Sequence, residues 1–486
     1  MQPSSAQTTA ATASLYWHDY ETWGVNPLVD RPAQFAGLRT DLSLQPIGKP
    51  MTLFNQPTAD FLPHPEAALI TGITPQQALN QGMNECSFSG KIAEQFTQPQ
   101  TVIVGYNNIR FDDEVTRALF YRNFIDPYAH TWQQGNSRWD LIDLVRACYA
   151  LRPDGIQWPR HEDGRVSMKL EDLTAANGID HGQAHDAMAD VYATIAIARL
   201  IREQQPKLWD YAFNLRTKKA VQQQIDLLQR KPLVHVSGHY GAAQGYVSYL
   251  MPLAYHPQQA NVLLGWDLRH DPRAIANLSI DQLRERFYLP KAEREQQQLA
   301  SVALHKVAIN RCPFIAPSNV LSDERGAHFG LDKAQCLQHY QQLQADAELR
   351  ERLIDALSEN DYPAPADDPE LQLYSGDFFG EQDKSNMRLI READPEQLAG
   401  MQFNFVDARL PTLLFRYRAR NFPATLSEQE LQRWQRFCQQ RLMEPLAGAL
   451  SIEEYALKLE HLAEQHSGDA NKLAILRALY QYAQSL

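Results

Sequence analysis

The run LYWHDYETWG, Leu15 to Gly24, constrains this chain more than any other segment. Tyr16, Trp17, Tyr20, Thr22 and Trp23 favour a strand. In a strand, alternate side chains share a face, so Asp19 and Glu21 leave the sheet side by side. Neighbouring carboxylates repel, and burial sharpens the repulsion. Such a strand belongs on a solvated face or in a fold that supplies a counter-charge. A divalent cation would turn the repelling pair into a chelate.

Further acids fall at element boundaries. In TVIVGYNNIRFDDE, a compact buried strand hands over to an amphipathic helix, and Asp112 stands at that junction. Asp112 or Asp113 also suits a helix N-cap. In AHDAMADVYATI, His185 and Asp190 open a long helix that ends near Pro206, and Asp186 there suits the helix dipole. Magnesium takes hard oxygen ligands, chiefly carboxylates, waters and phosphate oxygens. Two such ions about 4 Å apart clamp a phosphodiester for in-line displacement. A histidine beside the attacking water could serve as general base.

The chain has 486 residues, enough for two to four domains. Its 46 Lys+Arg against 58 Asp+Glu give a net charge of −12. That balance disfavours non-specific coating of nucleic acid but leaves room for a locally basic groove. Five scattered cysteines without a C-x-x-C pair suit a reduced, cytoplasmic setting and argue against a zinc ribbon or disulfide scaffold. The opening MQPSSAQTTAATAS lacks the basic and apolar regions of a targeting peptide and reads as a disordered tail. No apolar run reaches membrane-span length.

Up to about residue 205, strands and helices mix: PAQFAGLRTDL and MTLFNQP are strands, and ITPQQALNQG is a helix with Thr74 as N-cap. From Lys231, short strands broken by Gly, Pro and Asn indicate a small β-rich domain, barrel-like, with inserted helices such as LSIDQLRERFY. SENDYPAPADDPE reads as a linker, and the remainder as helical. The expected organisation is a tail at 1–13, an α/β domain at 14–205, a β-rich domain at 206–358, a linker at 359–370 and a helical domain at 371–486.

D-x-E on the first strand, then Asn-x-x-x-Phe-Asp, then His-x-x-x-x-Asp resembles the DEDDh 3′–5′ exonucleases. HDYET, RPAQFAGLRTD, ITGITPQQA, GYNNIRFDDEVTRALFYRNF, NSRWDL, RACYALRP, AHDAMADVYATIA, KPLVHVSG and YRARNFP extend the resemblance to the bacterial exonuclease I family. The resemblance implies a ribonuclease-H-like exonuclease domain, an SH3-like β-rich domain and an α-helical C-terminal domain. It implies Mg²⁺-dependent, processive hydrolysis of single-stranded DNA from the 3′ end to 5′-mononucleotides, in DNA repair and recombination, by a monomer. Asp19, Glu21, Asp112 and Asp190 match its ligands for two Mg²⁺ ions, which Mn²⁺ can replace. His185 matches the general base, and Glu21 also meets the terminal nucleotide. Lys169 stands where the family leads one to expect an arginine; it keeps the charge but loses the bidentate fork.

A groove that holds single strands combines backbone-directed charge with stacking surfaces. The candidates are Arg117, Tyr128, Trp132, Arg146, Lys218, Asn261, His305 and Asn310, with Lys169 nearer the chemistry. Packing is an equal alternative for Tyr128 and Trp132, and a solvated face for Lys218. Arg416, Arg418 and Arg420 either line the strand or, the preferred reading, tie the helical domain to its neighbours through ion pairs. The resemblance also implies a protein partner, the acidic C-terminal tail of single-stranded DNA-binding protein, with Arg152, Tyr211 and Lys231 as its contacts.

Overall fold

The computed structural model describes residues 12–180, 186–358, 366–446 and 448–486. The tail up to residue 11, most of the stretch read as a linker and His185 lie outside the described residues. The chain divides into two compact units: 1–137 with 181–192 and 364–486, and 138–180 with 193–363. The first joins the N-terminal block to the C-terminal helices.

In the first unit, β1 (Ser14–Thr22) lies between β2 (Pro32–Thr40) and β4 (Thr101–Gly105), with β3 (Met51–Phe54) beyond β2. β1 runs antiparallel to β2, with Asp19 opposite Ala36 and Glu21 opposite Gln34. It runs parallel to β4, but that ladder spans only Ser14/Thr101 to Trp17/Val104. β1 thus extends past its parallel neighbour and carries its acids at the carboxyl end of the pair. Open α/β sheets bind ligands there.

Alternation divides the strand's faces. Tyr16 and Tyr20 join Phe35, Phe88, Phe96, Ile103, Leu119 and Phe120 in a buried core. The helices Glu85–Phe96 and Asp112–Arg122 supply much of that core. The odd positions, including Asp19 and Glu21, face the other way. Trp23, just past the strand, packs with Tyr455, Leu459, Leu462, Leu476 and Leu479 from the helices Ile452–Gln465 and Ala470–Gln484.

A buried ionic network binds the two ends of the sequence within this unit. Arg420 bonds Asp60 at 2.7 Å and Glu370 at 2.6 Å. Arg31 reaches Glu85 and Glu370, Arg122 bonds Glu85 at 2.8 Å, and Arg416 bonds Asp368 and Glu370. Arg418 pairs with Glu430. The three arginines of LLFRYRARNFP are therefore ion-paired, the preferred reading. The end of the supposed linker is no bare spacer, because Asp368 and Glu370 anchor this network. Burial opposes ionisation of Glu85, but Arg122 and Arg31 outweigh it and hold the carboxyl down at about 2.

β5 (Ser137–Asp140) carries the chain into the second unit. There β6 (Leu233–Val236), β7 (Val247–Tyr255), β8 (Val262–Asp267), β9 (Leu304–Ala308) and β10 (Phe314–Pro317) form an antiparallel sheet in the order β10-β6-β7-β8-β9. The helix read in LSIDQLRERFY is Ile280–Tyr288, closed by a Ser279/Gln282 capping box. Among the described residues, no helix is long and apolar enough to cross a membrane.

Candidate active site

The acid pair of β1 gains a third member from a distant helix. Carboxylate oxygens of Asp19, Glu21 and Asp190 all lie within 4.8 Å of one another. Glu21 is 8% exposed, while Asp19 and Asp190 are half-buried. Asp112, 6% exposed, joins through the backbone: the Tyr20 N–H donates to its Oδ1 at 3.2 Å.

The turn after β4 explains how Asp112 arrives. A Cβ on Gly105 would sit 2.7 Å from the Asn108 Cβ and 3.1 Å from the His18 carbonyl oxygen, so the chain passes β1 closely only because the residue is glycine. Asn107 then adopts φ 62°, a left-handed conformation that asparagine tolerates. Phe111 occupies the N-cap, and Asp112, Asp113 and Glu114 fill the helix's first turn. Neither Asp112 nor Asp113 is the N-cap, the alternative their position allowed. The positive end of the helix dipole favours acids in that turn.

Asp190 sits in the first turn of the helix Ala187–Gln204. The Asp186 carbonyl accepts the Asp190 N–H at 3.1 Å. From β2, Gln34 Oε1 accepts the Ala187 N–H at 3.2 Å. Gln34 is 6% exposed, and no local pattern singles it out, because the bond spans 153 positions.

Two of these carboxylates, Asp19 and Glu21, resist ionisation. Burial raises the pKa of Asp19 far above the carboxylate range, and Asp112, Glu21 and Asp190 push the same way. Burial, then Asp190, Asp112 and Asp186, lifts Glu21 to about 8. An all-carboxylate donor set suits hard divalent cations, and a cation relieves the mutual repulsion. The residues present therefore fit a divalent metal centre.

The candidate binding residues occupy varied environments. In the first unit, Arg117 is 8% exposed, bonds Glu114 at 3.3 Å and the Tyr374 hydroxyl at 3.2 Å, and lies 5.4 Å from the Tyr128 ring centroid. Half-buried Tyr128 donates to the Leu373 carbonyl and meets Phe378 edge-on at 5.3 Å. Trp132 and Phe378 are 62% and 81% exposed. Sequence reading missed Tyr374 and Phe378, which lie in a stretch with no strong period.

In the second unit, exposed Lys169 pairs with Glu171 at 3.4 Å, and Arg146 with Asp143 at 2.7 Å. Lys218 Nζ donates to Asn261 Oδ1 at 2.6 Å. His305 lies 3.9 Å from Asp267, yet burial holds its pKa down at about 4, so the ring is neutral at pH 7. Exposed Asn310 accepts from Arg138 through its backbone carbonyl.

Arg152 and Tyr211 line one cavity of about 460 Å³, together with Lys207, Leu208, Phe314 and Val320. Lys231 pairs with Asp226 at 3.4 Å and is not part of that lining.

Residues 16–198 match the exonuclease family model, so the sheet and its carboxylate cluster define an exonuclease. Residues 216–359 match the exonuclease I SH3-like domain, and 367–486 the exonuclease I C-terminal domain. The chain is 46% identical to exodeoxyribonuclease I of Escherichia coli (strain K12), over 98% of each. It is similar to the zinc-bound E. coli exonuclease I–single-stranded DNA complex, with TM-score 0.93, 46% identity, and coverage of 98% of this chain and 99% of that one. It is also similar to a structure solved as SSB/exonuclease I with the inhibitor CFAM, with TM-score 0.89, 45% identity, and coverage of 98% and 100%. The chain belongs to the exonuclease I family.

Proposed function

We propose that this chain is a Mg²⁺-dependent 3′→5′ exodeoxyribonuclease that degrades single-stranded DNA to 5′-mononucleotides. One observation carries the reading: Asp19, Glu21 and Asp190 converge within 4.8 Å, with Asp112 bonded to the same strand. The zinc and single-stranded DNA of the E. coli relative support the ligand classes. Nuclease function is assigned to residues 14–205, with 206–358 and 371–486 as auxiliary domains.

Asp19, Glu21, Asp112 and Asp190 would hold the metal, which would supply Lewis-acid chemistry for phosphodiester hydrolysis. His185 accepts the attacking water's proton, and Glu21 sits beside the terminal nucleotide. Lys169 and Arg146 face backbone phosphates, Lys218 and Asn261 act as a bonded pair, and neutral His305 and Asn310 offer hydrogen bonds. Tyr128 and Trp132 offer ring faces to bases, and Arg117 sets the Tyr128 ring.

The cavity lined by Arg152, Lys207, Tyr211 and Phe314 receives the acidic tail of single-stranded DNA-binding protein, its cations meeting carboxylates and its rings meeting apolar side chains. The SSB-containing relative supports that partner. Lys231, which pairs with Asp226, would offer that tail a further cation.

The test follows label released from a 3′-labelled single strand. Mg²⁺ should support release, and EDTA or Asp19→Ala should stop it; release that survives both overturns the metal mechanism. A matched RNA oligomer should be degraded more slowly, and the reverse order would make RNA the substrate.

A further inference from the structure

Gln34 is buried, lies on a strand that contributes no ligand, and bonds the helix that carries Asp190. Directly opposed residues of an antiparallel pair project to the same side of the sheet. Gln34 is opposed to Glu21, so it leaves β2 on the side from which Glu21 and Asp19 leave β1. Its amide oxygen is the atom that meets Ala187, because the backbone N–H there can only donate. Ala187 is fully buried and opens the helix; three residues on, Asp190 completes the carboxylate cluster.

The first N–H groups of any helix lack intrahelical acceptors. Gln34 satisfies one of them from the neighbouring strand, and in doing so fixes the helix's height above β1. A change of one ångström at Ala187 passes along a rigid first turn to the Asp190 carboxylate. Cluster geometry within a fraction of an ångström decides how well a small hard cation is held.

We infer that Gln34 is a positioning residue for the metal centre: it holds Asp190 at chelating distance from Asp19 and Glu21 by capping Ala187. The inference rests on the metal-centre reading above. Gln34 contacts neither metal nor substrate in this role. It acts as outer-shell partners of metal ligands do, and their loss costs about 10–100-fold in metal affinity.

Calorimetric titration of the full-length, metal-stripped protein with Mn²⁺ tests this without turnover. Gln34→Leu should weaken Mn²⁺ binding by about 10–100-fold. Gln34→Glu, which keeps an acceptor oxygen for Ala187, should recover most of that affinity. Thermal unfolding of the stripped proteins, run alongside, separates folding from positioning. Unchanged Mn²⁺ affinity in Gln34→Leu overturns the inference, whatever its melting temperature. So does an equal loss of affinity in Gln34→Leu and Gln34→Glu. Failure of the wild-type protein to bind Mn²⁺, or binding that survives Asp19→Asn, defeats instead the metal-centre reading on which it rests.

Discussion

Glu21 keeps its proton up to about pH 8 when no cation faces it, first because it is buried and then because Asp190, Asp112 and Asp186 surround it. An unfolded glutamate titrates near 4.5. The folded state therefore holds the extra proton between these values, and metal-free stability falls as pH rises from 4.5 to about 8. The shift corresponds to no more than about 5 kcal/mol. A bound cation reverses the penalty, so Mg²⁺ should raise the melting temperature more at pH 8 than at pH 5. Equal increments at both values would show that the carboxylates are not what the ion meets. Removing the proposed base has a different signature. His185→Ala should lower the turnover rate by about 10²–10⁴-fold while strand affinity, measured in Ca²⁺, stays near wild type.

The elements explain why some of this was legible in the sequence and some was not. The D-x-E pair could be read directly, because strand alternation is local and forces both carboxylates to one side. Thr74 was readable as an N-cap for the same reason, and its hydroxyl does accept the Gln77 N–H at 3.2 Å. Asp112 and Asp190 drew their roles from family resemblance; nothing in helix periodicity says which strand their helices start beside. Arg117 shows what charge alone leaves out: the structure bonds it to Glu114 and to the Tyr374 hydroxyl, partners no local pattern indicates. Gly105 is the element-level device whose removal should be most visible. Gly105→Ala drives a Cβ into Asn108 and the His18 carbonyl, so it should cost about 1–3 kcal/mol and weaken Mn²⁺ binding together. Urea unfolding and metal titration check the two effects; loss of stability with unchanged affinity would detach this turn from the placement of Asp112.

At the scale of the whole chain, the strongest constraint is the interior charge network, which no local pattern announces because its partners lie from tens to hundreds of positions apart. Glu370 sits at its centre, bonded to Arg31, Arg416 and Arg420. Glu370→Gln leaves these buried cations undercompensated and should destabilise the protein by about 3–5 kcal/mol in urea unfolding; a change below 1 kcal/mol would show that water reaches the site. Acid should act through the same groups. Glu85 is held at about 2 against the ordinary 4.5, so its stabilisation is complete above 4.5 and fades as pH falls toward 2. This limb opposes the one set by Glu21, and by these two groups the metal-free protein should be most stable near pH 4.5.

The same network bears on any attempt to dissect the molecule. A minimal nuclease ending near residue 205 would carry Arg31, Asp60, Glu85 and Arg122 without Glu370, Arg416 or Arg420. It would also lose the C-terminal helices that cover Trp23 at the end of the catalytic strand. The segment bearing the chemistry is therefore not a portable cassette. Its floor is laid by the far end of the polypeptide, and trimming that end removes the foundation and not an accessory.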